Sequence, residues 1–239
     1  MNYMRFFSAL TLLVASSVVY SQSDDRAEIL NKITSLRSEL KVNEEKFLSP
    51  APSDYEADAE FLRQPRTGLI RLLPREEYDK PEKLTTRGGG AYYSFTRLKH
   101  EYGYGSDIEL SRDEFSVGFA GADYGFMGMI EGEDINSVTL DHPAVQYLVS
   151  LKVPVKLEDA RIEYKRGWEG VIASGIHYKG RLKALAGKTY VLRSINYGES
   201  DILVCFQTVR KDVDGSWILA WKMLKEFDKP KLEQVKDGQ

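Results

Sequence analysis

The sequence predicts an α+β fold: an antiparallel β-sheet, open or curled toward a barrel, with a long N-terminal helix and one or two short covering helices. Three observations predict it. Apolar residues recur at helical spacing over 25–47, and over no later stretch of that length. Residues 87–132 then hold ten of the 19 glycines, interleaved with aromatics and short apolar runs, the composition of β structure with tight connections. The last third offers three strand-like runs, and the two near 202 and 217 are apolar on both faces, so both faces of the sheet must be covered.

The chain opens on a basic, apolar, small-residue order. Arg5 is the only charge in the first 21 residues, Phe6–Val19 is apolar apart from small hydroxyl residues, and Val19-Tyr20-Ser21 provides a cleavage site before Gln22. This reads as a secretory signal peptide over residues 1–21, and it predicts a secreted or periplasmic protein. The apolar run is too short for a spanning helix, which needs roughly 20 apolar residues. No later run is long enough either, so the processed form is expected to lack a transmembrane segment.

Residues 22–53 read as an amphipathic helix and a proline-containing linker. Ile29, Ile33, Leu36, Leu40 and Phe47 follow a nearly heptad spacing, with Asn43 as the polar lapse. Docking on the main domain and self-association are both open to such a stripe. Pro50 and Pro52 end the helix. A globular domain is expected over 54–227, followed by a polar tail over 228–239 that should fray. Ser53 with Glu56 suggests a capping box for a short helix ending before Pro65. Leu69–Leu73 is a brief apolar run stopped by Pro74.

Strands are expected near 91–98, 107–110, 114–119 and 125–130. Asp141 is the expected cap of a short helix running to Leu151, with Pro143 in its first turn. Residues 161–164 and 171–178 fit strands, and 182–186 fits either helix or loop. Thr189–Ile195, Ile202–Arg210 and Trp217–Lys225 are strands, the last two joined at Asp214-Gly215, which accepts positive φ. Ile202, Val204 and Phe206 should share one face; Leu203, Cys205 and Val209 should share the other.

Composition narrows the function. A formal charge of −3, with Lys and Arg dispersed, gives no basic footprint for nucleic acid. The single cysteine, Cys205, rules out an intrachain disulfide and sits in an apolar run, as a core thiol does. No Gly-x-Ser-x-Gly elbow is present. Ser38-Glu39-Leu40-Lys41 lies on a helix without partner motifs. His100, His142 and His177 are scattered rather than paired, so no metal or other cofactor is expected. Glu131–Asn136 is acidic without the EF-hand pattern. Arg87-Gly88-Gly89-Gly90 could cradle an anion, but a strand and not a helix follows, which favours a hinge or bulge.

One constellation stands out. Tyr102-Gly103-Tyr104-Gly105-Ser106-Asp107 and Gly121-Ala122-Asp123-Tyr124-Gly125 place tyrosines on glycine-rich turns beside carboxylates. Tyr102, Tyr104, Asp107, Asp123 and Tyr124 are therefore the candidate ligand-binding residues, expected on the surface and suited to a carbohydrate or a peptide. Packing of the same rings into the core is the competing reading. The function expected is a non-catalytic binding or structural module. The alternative is a secreted hydrolase working through paired carboxylates such as Asp107 with Glu109, or Glu131 with Glu133.

Overall fold

The computed structural model describes residues 11–103, 105–119 and 121–233, with side chains from Asp25 onward. Tyr104 and residues 1–10, part of the expected signal segment, lie outside the described residues. The chain divides into two units at Phe47/Leu48.

The first unit is helical: α1 runs over Thr11–Leu48. Its side chains from Asp25 to Asn43 are all exposed, including the apolar stripe. The helix stops where Pro50 and Pro52 remove backbone donors and clash with a continuing turn.

The second unit begins with α2 (Pro52–Ala57). Pro52 occupies its first turn, so the helix starts earlier than the expected Ser53 cap. Asp54, not Glu56, reaches back to accept the Ala51 amide at 2.8 Å. A 3-10 turn over Phe61–Arg63 leads into β1 (Thr67–Leu72), and α3 (Arg75–Tyr78) follows. The expected strand at 91–98 shortens to β2 (Tyr92–Tyr93), because the chain turns back on itself and pairs Ser94 with Lys99. β3 (Ile108–Ser111), β4 (Glu114–Ser116) and β5 (Tyr124–Ile130) fall near their expected places.

α4 (Pro143–Ser150) is capped by His142 rather than Asp141: its Nδ1 accepts the Ala144 amide at 3.1 Å. Pro143 at the first helical position makes the preceding residue the cap. Residues 161–164 are not a strand. They lie in α5 (Leu157–Glu169), whose first turn carries Glu158 and Asp159, where the helix dipole favours them. The four-residue alternation seen in sequence is simply shorter than the helical pattern around it. β6 (Val171–Ala173) and β7 (Ile176–Lys179) form a hairpin, and β8 (Arg181–Lys183) is a strand where a helix or loop was expected, because it pairs with the distant β4. β9 (Thr189–Asn196), β10 (Ser200–Lys211) and β11 (Trp217–Glu226) are the last strands among the described residues.

The strands build two antiparallel sheets, neither closed into a barrel. The larger has the order β1-β11-β10-β9-β5-β7-β6 and the smaller β2-β3-β4-β8. The two-faced apolar strands explain this layering. Ile202, Val204, Phe206, Trp217, Leu219 and Trp221 face the core shared with Ile108, Leu110 and Phe115 of the small sheet. Leu203, Cys205 and Ala220 face a second core, with Val145 and Leu148 of α4. Burial pushes the Cys205 thiol up to about 12, as expected for an inert core cysteine. Val209 departs from its expected place: a bulge between Thr208 and Arg210 breaks the alternation and leaves Val209 exposed. The start of the tail is pinned rather than frayed, since Gly198 N donates to Pro230 O at 2.8 Å and Glu233 N to Val155 O at 2.7 Å.

Candidate ligand pocket at the glycine-rich turns

The two glycine-rich turns singled out in sequence do come together. With the β9–β10 turn they line a pocket of about 520 Å³, walled by Arg87, Arg97, Glu101, Tyr102, Gly103, Phe119, Gly121 and Glu199. That volume suits a small-molecule ligand.

Each wall has a local cause. Gly88 sits at φ +83°, and a Cβ there would strike the Tyr92 ring and Tyr102 Cβ. Its absence allows Tyr92 and Tyr102 to pack with ring centroids 4.8 Å apart, and Phe119 to meet Tyr92 edge-on at 5.2 Å. The Arg87 guanidinium lies over the Tyr102 ring at 4.9 Å. Among the described residues Arg87 makes no ion pair. Gly105, at φ +82°, leaves the space through which Arg97 passes, since a Cβ would lie 2.6 Å from its Nη2. Arg97 Nη2 then donates to Glu199 at 2.7 Å. Lys99 pairs with Glu101 and holds its carboxyl below the usual range.

The candidate residues fare differently. Tyr102 lines the pocket and is half-buried. Tyr104 lies outside the described residues. The surface exposure expected of the other three is not found. Tyr124 is buried in the second core, edge-on to Phe126 at 6.2 Å, because β5 is an interior strand covered on both faces. Asp107 and Asp123 are buried as well, and both serve as struts. Asp107 accepts from Phe95 N at 2.8 Å and from Asn196 Nδ2 at 2.9 Å. Asp123 accepts from Tyr197 N at 2.8 Å. The two carboxylates thus tie the two glycine-rich turns to the β9–β10 turn that carries Glu199. Burial pushes Asp107 up to about 7, against the hydrogen bonds from Ser194, Phe95 and Asn196 that pull it down. Asp123 rises to about 6 through burial, with the Glu199 charge adding to the rise.

Among the described residues, neither proposed carboxylate pair lines this pocket. Glu109 is buried, accepting from Tyr92 Oη at 2.7 Å, Ser116 Oγ at 2.6 Å and Arg75 Nη1 at 3.1 Å. Glu133 accepts from Ser137 Oγ at 2.6 Å on the surface. Two of the three histidines are also separately employed. His142 caps α4, while His100 packs edge-on to Tyr93 and bonds Arg71 O through Nε2 at 2.7 Å. Among the described residues no group of three His, Cys, Asp or Glu side chains is arranged to hold a metal ion.

Sequence reasoning missed five of the pocket's side chains. Arg87 was visible as the residue before three glycines, and Phe119 as one of a run of aromatics. Arg97, Glu101 and Glu199 gave no signal, since an isolated charge in a loop looks like any solvated residue. No protein-family model, curated protein or solved structure matches this chain.

Proposed function

We propose that this chain is an exported, non-catalytic binding module, and that the pocket takes a small polar ligand carrying hydroxyls and one carboxylate, an acidic saccharide. The observation that carries the reading is Arg87, stacked on Tyr102 at the pocket wall; its charge helps lower Glu101, but among the described residues it makes no direct ion pair. A ligand carboxylate would complete it with a charge-assisted hydrogen bond. Phe119 and Tyr102 offer apolar contact, and Glu101 and Glu199 can accept from sugar hydroxyls. Export rests on the N-terminal order of basic, apolar and small residues.

A carboxylate-driven hydrolase is the weaker reading. Glu101 and Glu199 both line the pocket, but each is tied to a cation, and Lys99 lowers Glu101 where a general acid requires a raised pKa. The test is a thermal-shift and calorimetry panel of uronic-acid oligosaccharides, neutral oligosaccharides and short peptides. Acidic saccharides should raise the melting temperature. Arg87→Ala should remove that rise while leaving the unliganded melting temperature close to native, and Tyr102→Ala should remove it relative to that variant's own, lower unliganded melting temperature. Tight binding of neutral sugars or peptides with Arg87→Ala unaffected would refute the assignment. Mass spectrometry of the exported chain should find a new N-terminus at Gln22; an intact Met1 would refute export by a cleaved signal.

A further inference from the structure

The exposed stripe of α1 carries a register code. Ile29, Ile33, Leu36 and Leu40 are separated by four, three and four residues, and each is solvent-exposed. In heptad terms Arg26, Ile33 and Leu40 are a positions, and Ile29, Leu36 and Asn43 are d positions. The flanking g positions are Asp25, Lys32, Glu39 and Lys46, which alternate in sign. We infer that a second copy of this chain covers the stripe as an antiparallel two-helix coiled coil, with its two-fold axis passing between Thr34 and Ser35.

Charge selects the arrangement. In the antiparallel register that places Ile33 opposite Leu36 and Ile29 opposite Leu40 of the other copy, g positions face g positions. Lys32 then meets Glu39 and Asp25 meets Lys46, each pair twice by symmetry. All four contacts join opposite charges. Sliding the register by one heptad in one direction sets Lys32 against Lys32, and in the other direction Glu39 against Glu39. In a parallel pair each g position faces the e position five residues on, so Lys32 faces Arg37 twice. Only the central antiparallel register satisfies both the apolar layers and the charges. Its outer layers are polar, pairing Asn43 with Arg26. Four apolar layers make a modest, concentration-dependent dimer.

Sedimentation and light scattering of the full exported chain over roughly 1–100 µM test this. The native chain should shift from monomer to dimer across that range, with Leu36→Asp remaining monomeric. Lys32→Glu should weaken the dimer by about tenfold, because two attractive contacts become repulsive, and the double variant Lys32→Glu/Glu39→Lys should restore it. These side chains are exposed, so each variant should keep its helix, which circular dichroism checks. A native chain that stays monomeric overturns the inference. So does dimerisation of Leu36→Asp, or a double variant that fails to recover. Tightening by Lys32→Glu would signal a parallel pair, since the introduced carboxylate would then face Arg37, and overturns it as well.

Discussion

Asp107→Asn should flatten the pH dependence of stability. The carboxyl is fully buried between Phe95 N and Asn196 Nδ2, and its pKa is raised from 3.8 to about 7. The sign follows from proton linkage. Between those two values the unfolded chain has released the proton while the folded chain still holds it, so stability falls as pH rises. Below 3.8 the contribution is fully present; above about 7 it is lost. At about 1.4 kcal/mol per pH unit the loss is at most roughly 4 kcal/mol. Asparagine is neutral throughout, and Asn196 can turn its amide to present an acceptor. Urea denaturation of the native chain and the variant, at intervals from pH 4 to pH 8, reads the difference directly. His100, which burial holds down near 4, acts in the opposite direction below about pH 6.5, but it is common to both proteins and cancels. The free-energy difference between native and variant should therefore drift steadily in the variant's favour as pH rises. Parallel profiles would refute the account of Asp107 as a buried, proton-retaining strut.

The remaining predictions concern the core. Trp221→Ala should cost about 3–5 kcal/mol in chemical denaturation, since the ring is buried against Phe95 at 5.2 Å and pairs with Phe206 across the β10–β11 ladder. Val213→Ala, at the exposed tip of the same hairpin, should stay within about 0.5 kcal/mol of native; equal losses would mean the hairpin is not the core. Arg193→Ala should cost about 3–5 kcal/mol, because Arg193 forks onto Asp201 at 2.8 and 2.9 Å and also donates to the carbonyls of Leu148 and Leu151 at the end of α4. Its removal leaves a buried, uncompensated carboxylate, and hydrogen exchange should show α4 loosening first; a silent variant would refute that role.

What the sequence determined by itself was the part governed by local rules and period. Two-faced apolar strands at 202 and 217 required a sheet covered on both sides, and the structure covers one face with the small sheet and the other with α4. Asp214-Gly215 fixed the hairpin, the prolines at 50 and 52 ended the helix, and the glycine-rich turns marked where the chain bends. Cys205 was legible as a core thiol because its neighbours are apolar. Tertiary structure alone decided the rest. Residues 161–164 became helix because the chemistry of the flanking turns outweighs a four-residue alternation. Val209 left the core because one inserted residue reverses every later side chain. The turns at 102 and 121 were recognised as a pair, but which of their side chains point outward was not. A tyrosine beside a glycine has the same local signal whether its ring meets solvent or a strand packed from far along the chain. Tyr124 is buried, and Asp107 and Asp123 became struts, because β9 and β10 arrive beneath them from about 75–90 residues downstream. Arg97 and Glu199 meet across 102 residues. A contact made at that separation depends on the whole sheet order, and no local pattern records it.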